Sequence, residues 1–320
     1  MKPNNETQVK RPDNERRSPL KLKGVVEPQR REKKGLPSAS GTGNFPNFLY
    51  HGGPVINMPQ VYALFVGDWS SAANQNRATR LSQFVTDLLN SRYMNILSQY
   101  GCGTTGTLVN SVFIASGNNL SAADIHNILQ TAINNNTIPE PTNPSNAYAL
   151  FLDNATAVND TTAGAVMCEA TSDTAFGYHD FFTTSAGKLC YFSVVPGLTD
   201  MCLQNSCPGN DSGCSLHLGQ TQEQRQTQVA SHELSEMFSD PQVGSNEAWS
   251  SPGSPHENGD ICNGQTGTIT VGANTWTVQL MYSKWHDMNT NGATTCISET
   301  PNPLPSLLPA APTNLRVVDK

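Results

Sequence analysis

Thr221 to Pro241, TQEQRQTQVASHELSEMFSDP, carries three side chains whose types and spacing could do chemistry: His232, Glu233 and Glu236. On a helix, residues four apart lie one turn apart on one face, so His232 and Glu236 project together. That is the ligand spacing of the HExxH helix of zinc hydrolases, with glutamate in place of the second histidine. Glu233 directly follows the first ligand, where that pattern puts its general base. The bland alternative is a solvated polar face, because His, Glu and Ser are ordinary on exposed helices.

A zinc-hydrolase helix supplies two ligands and a later segment often supplies the third. Here the helix is followed by SNEAWSSPGSPHENGDIC, a Gly/Ser/Pro-rich loop holding His256, Glu257 and Asp260. Glu257 and Asp260 are the leading third-ligand candidates, with His256 behind them and Asp240 a turn along the His232 face. The same acids could instead cap local backbone donors in a turn-rich loop. One histidine with two carboxylates is a harder, more anionic donor set than His₂Glu. Zn2+ is the expected cofactor, with another divalent ion such as calcium or manganese as the alternative.

The helix itself is well signalled. Thr221 is an N-cap candidate and Gln224, three residues on, completes a capping-box pattern. Pro241 ends it, because the residue before a proline is pushed out of the helical region. Ala230, Leu234, Met237 and Phe238 form the expected core-facing stripe, with Arg225, Val229, His232 and Glu236 on the opposite side.

The 320 residues suffice for a full core and favour one large domain over two. Residues 1–40 hold eleven Lys/Arg against five Asp/Glu, a formal +6, so the remainder carries −13 of the total −7. We expect a disordered basic tail over 1–45, one α/β domain over 46–299, and a proline-rich tail over 300–320. The acidic body lacks the basic, aromatic patch that nucleic-acid binding requires. No apolar run is long enough for a transmembrane segment. The N-terminus shows no signal-peptide pattern, whereas the cysteines argue for export. There are eight cysteines, an even number, without the close CxxC pairs of a metal site, so disulfide-stapled loops are expected. Nothing in the sequence fixes an oligomeric state.

Apolar runs predict strands at 61–66, 108–115, 148–152 and 189–195. Helical patterns fall at 74–99 and 121–134, and more strand-like sequence at 268–271 and 276–282. This order predicts an α/β fold with a mixed sheet and flanking helices. It matches the N-terminal half of zincin metallopeptidases, which ends with the metal-binding helix. Periodicity alone fits several three-layer α/β folds as well.

Several short segments recur in a characteristic order: YHGGPV at 50–55, VYALFVGDWS at 61–70, NAYALFLD at 146–153, Cys168 with GYHD at 177–180, SHELSEMFSDP at 231–241 and ENGDIC at 257–262. In these the chain resembles the EXORDIUM-like, phosphate-induced protein family, known from plant cell walls and also found in bacteria. Members are generally secreted, so the resemblance implies an extracellular or cell-surface protein. It also pairs the HExxE helix with the downstream E-x-x-D-x-C stretch. Through it His51, in a Gly/Pro turn, and His179, beside Asp180, become visible. His179 is a candidate transition-state donor, with a structural histidine as the alternative. No G-x-S-x-G, P-loop or dinucleotide fingerprint competes.

The sequence therefore leaves two readings. The first is an exported metal-dependent hydrolase of the metallopeptidase kind, acting on a peptide or a cell-wall or surface polymer. In it His232 and Glu236, with Glu257 or Asp260, hold the metal, and Glu233 moves the proton. The second is a non-catalytic extracellular protein of the cell wall or surface, with a structural metal site or none.

Overall fold

The computed structural model describes residues 45, 47–160, 165–168, 174–206, 219–252, 257–290 and 295–309. Nearly all of the expected basic tail, His256, Cys207, Cys214 and the end of the proline-rich tail lie outside them. The principal elements, in chain order, are β1 (Gln60–Val66), α1 (Ala72–Leu89), β2 (Thr107–Ile114), α2 (Ala122–Asn134), β3 (Asn146–Leu152), β4 (Tyr178–Thr183), β5 (Leu189–Val195), α3 (Gln222–Ser239), β6 (Thr266–Val271) and β7 (Asn274–Gln279).

Five strands form one mixed sheet in the order β2-β1-β3-β5-β4, parallel except for β4, which runs antiparallel at the edge. The α/β class with a mixed sheet is thus as expected. Alternation along the strands divides the core. Ala63, Phe65, Ala149, Phe151, Tyr191 and Val195 face the layer that contains α1 and α3. Leu64, Val66, Leu150, Leu152, Phe192 and Val194 face α2, through Ile125, Leu129 and Ile133. β3 is buried at every residue, as a central parallel strand covered on both faces should be.

Three local differences from the sequence reading have physical causes. The helix expected over 74–99 stops at Leu89, where the Asn90 N–H turns back onto the carbonyls of Asp87 and Leu88. Ser91 then hydrogen-bonds locally, its hydroxyl donating to Leu88 O, before a short helix resumes at Met94. The strand β4 was not expected. Residues 304–307 of the proline-rich segment dock on the core: Leu304 N–H donates to Asn95 O at 3.2 Å and Leu307 N–H to Gln99 O at 2.7 Å.

Disulfides join Cys168 to Cys202 and Cys262 to Cys296. Disulfides are as expected, and Cys102 and Cys190 are buried free thiols. They belong to the clusters on opposite faces of the sheet, so they cannot reach one another.

α3 begins with the expected capping box: Thr221 Oγ1 accepts from Gln224 N and Gln224 Oε1 from Thr221 N. The expected division into an apolar and a solvated face fails, because every residue from Arg225 to Ser239 is buried. Sheet strands β4 and β5 cover one side of α3, and the β6–β7 hairpin covers the other. Small hydroxyl residues make that second contact. Thr227 Oγ1 donates to Thr277 O at 2.7 Å, and Gln279 N–H donates to Ser231 Oγ at 2.9 Å. Ser231→Ala strands the buried Gln279 N–H and should lower unfolding free energy by about 1–3 kcal/mol in urea titrations. A loss below about 0.5 kcal/mol, the level of a neutral surface change, would show that this contact does not clamp the hairpin.

Candidate metal centre

Three segments bring ionisable side chains to one place. α3 supplies His232, Glu233 and Glu236; β4 supplies His179; the loop after α3 supplies Glu257 and Asp260. His179 faces the helix because Tyr178 points to the opposite side of the sheet and the next residue must alternate. The loop is carried back to α3 by two anchors. Leu49–Tyr50, from the YHGGPV segment, pairs with Trp249–Ser250, and Cys262 is bonded to Cys296.

Glu236 is the centre of the arrangement. Its Oε2 lies 3.0 Å from His232 Nε2 and 3.7 Å from His179 Nδ1, while its Oε1 accepts Asp260 N–H at 3.0 Å. His179 Nδ1 lies 3.4 Å from Glu233 Oε2, and His179 Nε2 lies 3.4 Å from Glu257 Oε1. Asp260 Oδ1 is 3.8 Å from His232 Nε2. The side chains of His179, His232, Glu233 and Glu236 are wholly buried, whereas that of Asp260 is 19 % exposed and marks the solvent side. Gln279, at the end of β7, donates through Nε2 to Gly259 O at 2.8 Å and stands 2.6 Å from His232 Nδ1.

Burial of so many charges perturbs their titration. Burial pushes the Glu233 and Glu257 carboxyls well above the ordinary carboxylate range, and neighbouring carboxylates add to the effect. Burial also opposes charge on Glu236 and His232, but their mutual attraction outweighs it. Glu236 is held below the usual range and His232 is raised to about 9. His179 is raised as well, because the carboxylates around it, Glu233 foremost, outweigh burial.

Despite these short distances, His179 Nε2, His232 Nε2, Glu233 Oε1, Glu236 Oε2 and both oxygens of Glu257 have no aligned hydrogen-bond partner. Buried polar atoms are nearly always satisfied, so a cluster of orphans of metal-ligand type calls for an explanation. Two trios have ligand atoms within 4.8 Å of one another: His179, Glu236 and Glu257, and His232, Glu236 and Asp260. Imidazole nitrogen with carboxylate oxygen suits a divalent cation, and the residues fit one.

Protein EXORDIUM-like 3 of Arabidopsis thaliana is 25 % identical to this chain over 277 residues, covering 75 % of each. The chain is thus similar to an EXORDIUM-like protein over three quarters of its length. No family model and no solved structure matches it. The segments that carried the EXORDIUM-like resemblance converge in space. VGDWS and ALFLD are joined where β1 and β3 end, Asp68 N–H donating to Asp153 Oδ2 at 2.9 Å. GYHD, SHELSE and ENGD meet at the cluster itself.

Five of the residues singled out in the sequence (His232, Glu233, Glu236, Glu257, Asp260) lie together with His179, but Glu257 faces His179 rather than His232. Asp240 ends α3 and its Oδ1 accepts Ala248 N–H. His51 is exposed, with Nε2 3.1 Å from Ser250 O. Gln279 and two glycines went unnoticed. A Cβ on Gly259 would stand 2.7 Å from Glu236 Oε1 and 2.8 Å from His232 Nδ1, and one on Gly177 would stand 2.8 Å from Glu233 Oε1. The glycines of GYHD and ENGD thus let two backbones approach the helix, a use of glycine that the motifs themselves signalled.

Gly259→Ala must displace the His232–Glu236 pair, so it should lower unfolding free energy by about 1–3 kcal/mol. Gly219→Ala, where an added Cβ meets nothing within 4 Å, serves as the neutral control. Equal stability of the two variants in chemical denaturation would contradict the tight packing described.

Proposed function

We infer that the chain is an exported, metal-dependent hydrolase in which His232, Glu236 and Asp260 hold the cation and Glu233 moves the proton. The observation that carries this reading is Glu233 itself. It is a wholly buried carboxylate beside the ligand trio, with one oxygen held near His179 and the other without a partner. Burying such a polar group without a full set of partners is costly, which favours a role for it beyond packing.

A bound zinc ion, or another divalent ion such as manganese, would acidify a water and polarise a scissile carbonyl. Glu233 Oε1 would accept the proton of the attacking water and later donate it to the leaving group. His179 Nδ1, 3.4 Å from Glu233 Oε2, orients that carboxylate. His232 would offer Nε2 to the cation, with the Gln279 amide 2.6 Å from Nδ1 holding the ring in place. Asp260, the partly exposed member, lies where substrate would enter.

The antiparallel edge strand β4 beside α3 supports a zincin-like core within a single α/β domain over 46–299, and with it a peptide or cell-wall or surface polymer as substrate. The disulfides Cys168–Cys202 and Cys262–Cys296 support an extracellular or cell-surface location. No helix among the described residues is long and apolar enough to cross a membrane. A second reading, a non-catalytic surface protein with a closed structural metal centre, is favoured by the complete burial of four of the side chains.

Glu233→Gln separates the two. The hydrolase reading expects unchanged metal content and a fall of about 100-fold or more in hydrolysis of a peptide and polysaccharide panel. Wild-type protein that holds metal but cleaves nothing would favour the closed centre. In both cases chelation should lower the thermal midpoint, since a ligand present at 100 times its Kd contributes about 2.7 kcal/mol. An unchanged midpoint would count against any bound metal.

A further inference from the structure

We propose that this centre holds two divalent cations bridged by Glu236, one on His232 and Asp260 and a second on His179 and Glu257. The proposal rests on the metal-centre reading above and extends it.

The two trios have only Glu236 in common, so the five ligands do not make one coordination sphere. Glu236 is built to serve both. Its Oε1 is occupied by Asp260 N–H, its Oε2 lies 3.0 Å from His232 Nε2 without an aligned hydrogen bond, and one of its oxygens is within 4.8 Å of ligand atoms of both His179 and Glu257. Each trio also has its own orphaned imidazole nitrogen, His232 Nε2 in one and His179 Nε2 in the other. A cation on the first trio alone leaves His179 Nε2 and both Glu257 oxygens buried without an aligned hydrogen bond, with only the 3.4 Å approach of Nε2 to Oε1 between them.

His179 has the surroundings of a ligand. Its Nδ1 lies 3.4 Å from the Glu233 carboxylate and its Nε2 faces Glu257. Metal-bound histidines are typically arranged in this way, one nitrogen toward a carboxylate and the other toward the ion. The charge environment points the same way. Glu233, Glu236 and Glu257 are paired with the two histidines only, and with no lysine or arginine among the described residues. Carboxylates buried with only imidazoles as partners are the donor set that cations complete.

The full chain, dialysed free of metal, would be equilibrated with manganese(II) alone and, separately, with zinc(II) alone. Bound metal is then counted by plasma emission. Two equivalents are expected for wild type, and one each for His179→Ala and His232→Ala. The manganese-loaded wild type should also give the exchange-coupled electron paramagnetic resonance spectrum of a bridged pair, a readout that needs no variant to fold. One equivalent with an uncoupled spectrum would overturn the second site. If that equivalent is lost in His232→Ala and kept in His179→Ala, the single-metal reading stands. No bound metal in wild type would remove both readings together.

Discussion

The removal of one ionisable helix face from water shapes the rest of this molecule. On an exposed helix, His232, Glu233 and Glu236 would be solvated and inert. Here α3 is clamped between the sheet and the β6–β7 hairpin, and all three side chains are buried. Each surrounding feature follows from that enclosure. Hydroxyls at Thr227 and Ser231 satisfy the hairpin backbone, glycines at 177 and 259 admit close neighbours, and the Gln279 amide holds the His232 ring in place. The charges left inside have only one another, and that residual frustration makes the centre suited to a cation.

Local signals carried far in the sequence. The capping box at Thr221, the stop at Pro241 and the apolar runs of β1, β3 and β5 are encoded by short-range chemistry, and the structure follows them. The i, i+4 pairing of His232 with Glu236 is equally local, and their contact follows directly. The full burial of α3 was not legible, because it depends on a hairpin some forty residues downstream whose own faces are mostly Thr, Asn and Gly. Polar residues on a helix read as solvent-facing until something in three dimensions covers them.

The same limit explains the partition of the acids. From spacing, Glu257 and Asp260 were equivalent third ligands for His232. They separate only because β4 presents His179 to Glu257, while the turn at Gly259 returns Asp260 to α3, its N–H donating to Glu236. The cysteine pattern illustrates a further case. An even count pointed to disulfides without saying which cysteines pair, and alternation along β5 sends Cys190 to one face of the sheet while Cys102 belongs to the other. Topology, more than composition, decides which partners can meet.

Anomalous diffraction from crystals of the native protein, purified without chelator and measured at the zinc and manganese edges, tests the central claim most directly. The account predicts anomalous density bounded by His232, Glu236 and Asp260, with the side chains close to the positions described here. Electron density that shows only water, or a direct His232–Glu236 hydrogen bond with no anomalous signal, would contradict it.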